Sequence, residues 1–375
     1  MQVHPLFKCV EEYADIGFHR TGTSEDHTTL NWFCDKVRLS GGVARIDTFD
    51  FSQFVADWNV ELNGRPVVSL PLYYTGCGRV NISNLSVARI DLSDADEHMA
   101  WGQLRLHIDA ARQHGAEGLL VVTKSATGDV YAMNTNPDSC SDLPVFFVGD
   151  HDAEEYGLEA VRITSNARIV DGRSGNIVAR FGCASSAPLL TIATPLSGWF
   201  NCAGERGAGI AIALTLAERL AARIPVEIVA TSGHELGHLG ARQHLKNCVS
   251  DPFQRIIHIG SCVGAGNGRP GWPSRSSTDN LTAIVHCESD RISRLIDTLS
   301  PIVVETRIPS HPELPASWQG ESEEWSLRNR CMLSLAGTAP TFHTPSDIAA
   351  IAIEPVSLSM TVDCVEQAVF QLLNL

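Results

Sequence analysis

From residue 175 onward, short apolar runs alternate with helix-length amphipathic segments, and this constrains the fold more than any other feature of the chain. Residues 176–181 and 189–193 read as strands, 208–222 as a strongly apolar helix, and 225–231 as a further strand. A helix near 235–245 follows, then strands at 256–262 and 281–287, and helices near 288–300 and 355–373. Strands separated by helices of this length predict an α/β fold with a buried, mostly parallel sheet flanked by helices. Ligands of such sheets meet the loops at the strand ends. Two long segments, 264–280 and 307–330, fit no element and are expected to enclose a site there.

The first half has a different texture. Leu30, Trp32, Phe33, Val37 and Leu39 are spaced as one helical face that ends at Gly41-Gly42, and a strand is expected at 43–51. Residues 58–180 are rich in short β runs, with an amphipathic helix at 99–114 and apolar strands at 118–122 and 144–149. The chain therefore divides into an α/β domain, 1–57 and 181–375, and a compact β-rich insert, 58–180.

Charge and composition exclude some classes of function. A formal net charge of -15 argues against a partner that is nucleic acid or an anionic membrane. The sequence holds no run of ~18 apolar residues for a spanning helix. Residues 1–18 lack the apolar stretch of a secretory signal. Eleven cysteines, an odd number with no CxxC pair, read as reduced thiols of a cytoplasmic protein. A homo-oligomer is compatible with all of this.

One motif stands out. His234-Glu235-Leu236-Gly237-His238 is an HExxH, in which two histidines on one helical face would bind zinc while Glu235 activates water. The longer form of that motif needs a glycine where Ala241 stands, and a strand ends three residues before His234. The pattern thus falls at a helix start, weakened by Gly237. In the plainer reading His238 and His244 are exposed helix histidines.

The same segment fits a second pattern. Strand, turn, then Glu235-Leu236-Gly237 and Gly240-Ala241-Arg242 resembles the zinc aminopeptidases of the glutamate carboxypeptidase and transferrin receptor type. His19-Arg20-Thr21-Gly22-Thr23 is similar to that family's Arg-x-x-Gly-Thr opening, and Phe342-His343-Thr344-Pro345-Ser346-Asp347 to its closing Tyr-His-Thr-x-x-Asp. Gly115-Ala116-Glu117-Gly118 looks like the helix-to-strand turn of a protease-associated domain. The resemblance implies a zinc-exopeptidase-like domain with a protease-associated-like insert.

The sequence also departs from the family. Thr194-Pro195-Leu196 stands where a His-x-Asp supplies the first ligand, Glu205 where an Asp bridges two metals, and His234 where a glutamate is the catalytic base. Gly260 or Ser261 replaces the Asp of the second metal. What remains, Glu205, Glu235 and His343, implies a site reduced to one zinc with an open fourth position, as in the similar glutaminyl cyclases. On this resemblance the chain is a zinc-dependent hydrolase, or related acyl-transfer enzyme, for a small amide- or short peptide-like substrate. His234 would move the proton.

Other readings stay open. Arg206 can capture Glu205 as an ion pair and leave a metal-free polar network. The chain would then be an inactive homologue acting as a binding protein, or a repurposed non-peptide hydrolase or lyase. Trp199, Arg206, Trp272 and Trp318 are candidates for a substrate wall, although tryptophans in long loops also pin the loop. Cys202 and Cys262 are either reactive thiols or buried inert ones. Asp347 either orients the His343 ring or caps a helix beginning at 348. Two patterns fail: 264–269 has Arg269 where a dinucleotide fingerprint needs its third glycine, and 260–264 puts Ser261 one place early for a nucleophile elbow.

Overall fold

Two very long strands organise the molecule. The computed structural model describes residues 5–135, 137, 141–182, 189–248, 254–265, 281–326 and 331–374. Helix α1 (Pro5–Ala14) buries Leu6, Val10 and Tyr13 along one face. Helix α2 (Ser24–Leu39) begins where the Thr23 hydroxyl accepts the Asp26 N–H, and Glu25 and Asp26 lie in its first turn, as its dipole favours. The chain then enters β1 (Val43–Leu62), which continues well past residue 51. After the insert it returns as β8 (Val161–Phe181), paired antiparallel with β1 from Val43 opposite Arg180 to Leu62 opposite Val161. Both strands run from the large sheet into the insert, so residues 57/58 and 180/181 fall within them.

Between them lie β2 (Arg65–Pro66), β3 (Ser69–Pro71), β4 (Gly78–Ile82), β5 (Leu85–Asp91), α3 (Glu97–Gln113), β6 (Gly118–Lys124), β7 (Val145–Gly149) and α4 (Asp150–Tyr156). A small sheet runs β3-β7-β6-β5. Its apolar strands bury both faces, which is why they read as continuous hydrophobic runs. Leu119, Val121 and Phe147 pack with Leu104 and Ile108 of α3, whereas Leu120, Val122 and Phe146 pack with Val60, Leu62 and Ile163 of the long strands.

The C-terminal part carries β9 (Leu190–Pro195), α5 (Ala208–Leu220), β10 (Val226–Thr231), α6 (Leu239–Asn247), β11 (Arg255–Ile259), β12 (Thr282–His286), α7 (Ser289–Leu299) and β13 (Glu305–Arg307). It ends with α8 (Ser322–Ser326), β14 (Met332–Ala336), α9 (Ala349–Ala352) and α10 (Pro355–Leu373). The large sheet is ordered β13-β12-β14-β11-β9-β10-β8-β1-β2, with β4 also on β8. It is mixed, not mostly parallel as the alternation suggested. Only the block β14-β11-β9-β10 and the β12-β13 pair are parallel; β8 and β12 join that block antiparallel. The cause is β8, which comes back from the insert by hairpin pairing with β1 and so meets β10 head to tail.

Successive strand residues serve opposite layers. Ile192, Ile228 and Ile257 join α5 and α10 through Ile210, Ile212, Val362 and Val369. Ala193, Val229 and Ile256 meet Leu245 and Trp325 on the other face. From β9 the chain crosses to β10 on one side and then back to β11 on the other. The carboxyl ends of β9 and β11 therefore border a topological switch point, where α/β sheets bind ligands. Among the described residues no helix is long and apolar enough to cross a membrane.

The entry into α6 is the tightest packed turn near that edge. A Cβ on Gly240 would come 2.1 Å from the Ser232 carbonyl oxygen and 2.3 Å from Asn176 Oδ1, whereas a Cβ on Gly102 within α3 meets nothing within 4 Å. Gly240→Ala is expected to destabilise the protein by about 2 kcal/mol or more. Gly102→Ala should stabilise it by ~0.5 kcal/mol. Urea denaturation of both variants checks the pair.

Candidate functional site

The site begins at the turn after β10, where the backbone leaves the helical region repeatedly. Gly233 (φ +84°), Gly237 (φ +68°) and His238 (φ +61°) are left-handed, so residues 234–236 form an isolated 3₁₀ turn and α6 starts only at Leu239. His234 and His238 therefore do not share a helical face, as an HExxH zinc site requires, although their rings lie 4.9 Å apart. Glu235 points inward and is fully buried. Its Oε1 accepts the Thr21 N–H at 2.8 Å and its Oε2 the Ser197 hydroxyl at 2.6 Å. The Ser197 oxygen in turn accepts the Gly233 N–H at 2.8 Å. Glu235 thus joins the N-terminal segment to the loops after β9 and β10.

After β9 the chain turns through Phe200 (φ +57°) and Cys202 (φ +48°) into a single π-helical turn, 203–207. Non-glycine residues with this backbone cost energy, and π turns recur at functional sites. Asp347 holds the turn by accepting the Gly204 and Glu205 N–H groups at 2.7 and 3.0 Å, so it neither orients His343 nor caps the helix at 348. Burial raises the Asp347 pKa to about 7, although the two N–H bonds oppose this. Glu205 and Arg206 project into the interior and are 0% and 1% exposed. Arg206 Nη2 lies 2.6 Å from Glu205 Oε1, and Arg206 Nε donates to the Ser197 carbonyl at 3.0 Å.

His343 enters from the loop after β14, itself left-handed at φ +58°. Its Nε2 bonds Glu205 Oε1 at 3.0 Å; its Nδ1 lies 2.9 Å from the Ala132 carbonyl and 2.6 Å from Glu97 Oε1. Glu97 and Ala132 belong to the insert, and the Ala132 N–H returns a bond to the His343 carbonyl at 2.9 Å. Burial alone would lower the His343 pKa, but the Glu205 and Glu97 carboxylates outweigh it and push it up to about 10. Burial would raise Glu205, but Arg206 and His343 hold it at about 2. The result is a buried chain of alternating charge, Glu97–His343–Glu205–Arg206.

Zinc at Glu205, Glu235 and His343 can be tested against this chemistry. A zinc-ligating imidazole gives one nitrogen's lone pair to the metal and turns its other N–H to a carbonyl or carboxylate; His343 Nδ1 makes that second kind of contact, but its Nε2 is taken up by Glu205 Oε1 at 3.0 Å. The Glu205 carboxylate is shared with a guanidinium, and both Glu235 oxygens are engaged elsewhere. Among the described residues no group of three or more His, Cys, Asp and Glu side chains is placed to hold a metal ion. As arranged, the set does not fit zinc.

Beside this chain lie buried polar atoms that lack hydrogen-bond partners among the described residues: Arg206 Nη1, His234 Nδ1 and Glu321 Oε2. Glu321, fully buried, accepts the Thr231 hydroxyl through Oε1 at 2.7 Å and places Oε2 3.6 Å from His234 Nδ1. Burial, followed by the Arg206 charge, holds the His234 pKa well below its ordinary value, so the imidazole is neutral near pH 7. Cys202 and Cys262 are free and buried, and burial pushes both thiols far up, which makes them inert. Trp199 donates to Asn134 Oδ1 at 2.9 Å and Trp318 to the Pro312 carbonyl at 2.8 Å, so each ring is pinned in the interior. Trp272 lies outside the described residues. Glu97, Ser197 and the position of Glu321 against His234 carry no motif and were not assigned from sequence.

No protein-family model matches the chain, and no curated protein matches it. Solved structures do. The zinc aminopeptidase BSAP of Bacillus subtilis is 12% identical with a TM-score of 0.70, over 97% of this chain and 93% of that one. A peptidase M28 precursor from Shewanella amazonensis is 16% identical with a TM-score of 0.73, over 98% and 92%. An aminopeptidase from Aneurinibacillus sp. strain AM-1 is 13% identical with a TM-score of 0.61, over 98% and 92%. The chain has the fold of these aminopeptidases along nearly its whole length.

The charge chain has a pH signature. The folded His343 pKa, about 10, lies above the ordinary 6.5, so its stabilisation is complete below about pH 6.5 and is lost as pH rises towards 10. Stability to urea is expected to fall between about pH 7 and 8.5, below the range where buried thiols contribute. In His343→Gln that slope should flatten, from a lower starting stability.

Proposed function

We propose that this chain is a peptidase-like hydrolase for a small amide- or peptide-like substrate, working at the carboxyl end of the parallel strands without a resident metal. The observation that carries the reading is His234: a neutral, buried imidazole whose Nδ1 is 3.6 Å from Glu321 Oε2 and which lies within the field of the Arg206 guanidinium. A carboxylate this close to an imidazole would stabilise the proton it gains. His234 would take a proton from the attacking water and return it to the leaving nitrogen as the C–N bond breaks. Arg206 would face the carbonyl oxygen as charge develops there.

We read residues 58–180 as a protease-associated-like module whose Glu97 completes the charge chain, and we place the protein in the cytoplasm. A second reading is the one-zinc hydrolase at Glu205, Glu235 and His343. It is favoured by one specific feature, the 3.0 Å approach of Glu205 and His343. Aminoacyl- and acyl-anilides, assayed in EDTA and again with added zinc, distinguish the two. Turnover is expected to survive EDTA and to drop ~100-fold or more in His234→Gln. Turnover only with zinc would establish the second reading. Absence of turnover in both conditions would leave a binding protein.

A further inference from the structure

We propose that Arg206 keeps divalent metal out of the Glu205–His343 pair and is itself the receptor for an uncharged acceptor oxygen, the carbonyl of a small amide, with Glu321 receiving the same ligand's N–H. The inference rests on the reading that this site takes an amide, but its metal-exclusion part stands apart from that reading.

Arg206 is 1% exposed; its Nη2 is held by Glu205 Oε1 at 2.6 Å, and its Nη1 has no acceptor among the described residues. Nε is used as well, on the Ser197 carbonyl at 3.0 Å. Buried guanidinium N–H groups are almost always satisfied, so donors left over in a dry interior mark a missing partner. Glu321 is the complementary case. It is fully buried, with Oε1 bonded to Thr231 and Oε2 unpaired, near enough for its charge to act on Arg206. An unfilled donor and an unfilled acceptor are thus buried in the same neighbourhood as His234, whose Nδ1 is 3.6 Å from Glu321 Oε2 and which lies within the field of Arg206. Gly320, next to Glu321, adjoins the same imidazole: a Cβ on it would meet only His234 Cε1, at 3.9 Å.

The charges select the kind of ligand. Arg206 is already opposed by Glu205 at 2.6 Å and lies within the field of Glu321. An incoming carboxylate or phosphate would face both of these carboxylates in a low-dielectric setting, where repulsion is strong. An amide carbonyl carries only a partial charge and can accept from Nη1 without displacing Glu205. Its N–H group, or an adjacent ammonium, matches the free oxygen of Glu321. The same charge count opposes a metal ion, because a divalent cation on Glu205 would sit against a fixed guanidinium.

The test uses the full chain stripped with EDTA. Saturation-transfer NMR measures binding of glycinamide, with acetate as the anionic control, and calorimetry measures zinc binding. The wild type is expected to bind glycinamide and neither acetate nor zinc. Arg206→Gln should weaken glycinamide by tenfold or more and gain about one zinc per chain. Arg206→Lys keeps the charge without the planar fork and guards against a Gln variant that fails to fold; it should weaken glycinamide and still exclude zinc. Glu321→Gln should weaken glycinamide with zinc still excluded. Zinc binding by the wild type as tight as by Arg206→Gln, or glycinamide binding indifferent to both Arg206 variants, would overturn the proposal. Neither result depends on the turnover that tests the hydrolase reading.

Discussion

A fully buried guanidinium has to be neutralised where it lies, and in this protein much of the site's geometry follows from that requirement. The penalty for removing one ion from water is several kcal/mol, recovered only when a partner is held in good geometry and its remaining atoms are bonded. Arg206 and its partner Glu205 are adjacent in sequence, and a π-helical turn lets the two side chains meet. The turn in turn depends on Asp347, which binds two of its N–H groups from the opposite loop. Deleting any one of these groups would leave another buried and unpaired, which is where large losses of stability arise.

The pair also reaches outward. Glu205 holds His343, and His343 holds Glu97 and the Ala132 carbonyl of the insert. Arg206 holds the Ser197 carbonyl; the Ser197 hydroxyl holds Glu235, and Glu235 holds Thr21 near the N-terminus. One connected set of polar contacts thus joins five loops drawn from both sheets. The insert is an integral wall of the site, since its charge completes the chain and its Asn134 fixes Trp199.

The parts of this arrangement that a sequence displays are those governed by periodicity. Helix α5 is legible because nearly every residue is apolar, and the parallel strands because both faces are covered. The lengths of β1 and β8 are not, because outside the core their burial alternates irregularly with many exposed positions. Without those lengths the antiparallel half of the sheet is invisible too. At the site, Glu205, His343 and Arg206 were all identified from position, but the sequence could not choose between a metal and an ion pair. The side chains that ligate zinc are also those that neutralise a buried cation, and only the coordinates show Glu235 turned towards Thr21. Glu97 had no signal: it lies in an ordinary helix start far from any motif.

A buried arginine offers different chemistry from a metal ion. A metal must be recruited from solution and concentrates two charges at a point, whereas a guanidinium is permanent at every physiological pH and spreads one charge over a planar fork. It polarises a carbonyl less strongly and orients it more exactly, through N–H groups in fixed directions. Part of the charge of Arg206 is already engaged by Glu205, so under the proposed hydrolase reading transition-state stabilisation would lean on exclusion of water, which strengthens every remaining dipole. That places the burden on the elements that close the site, including the loop carrying Glu321 and the insert carrying Glu97. On that reading, substrates small enough to be enclosed completely would gain most, and long peptides least.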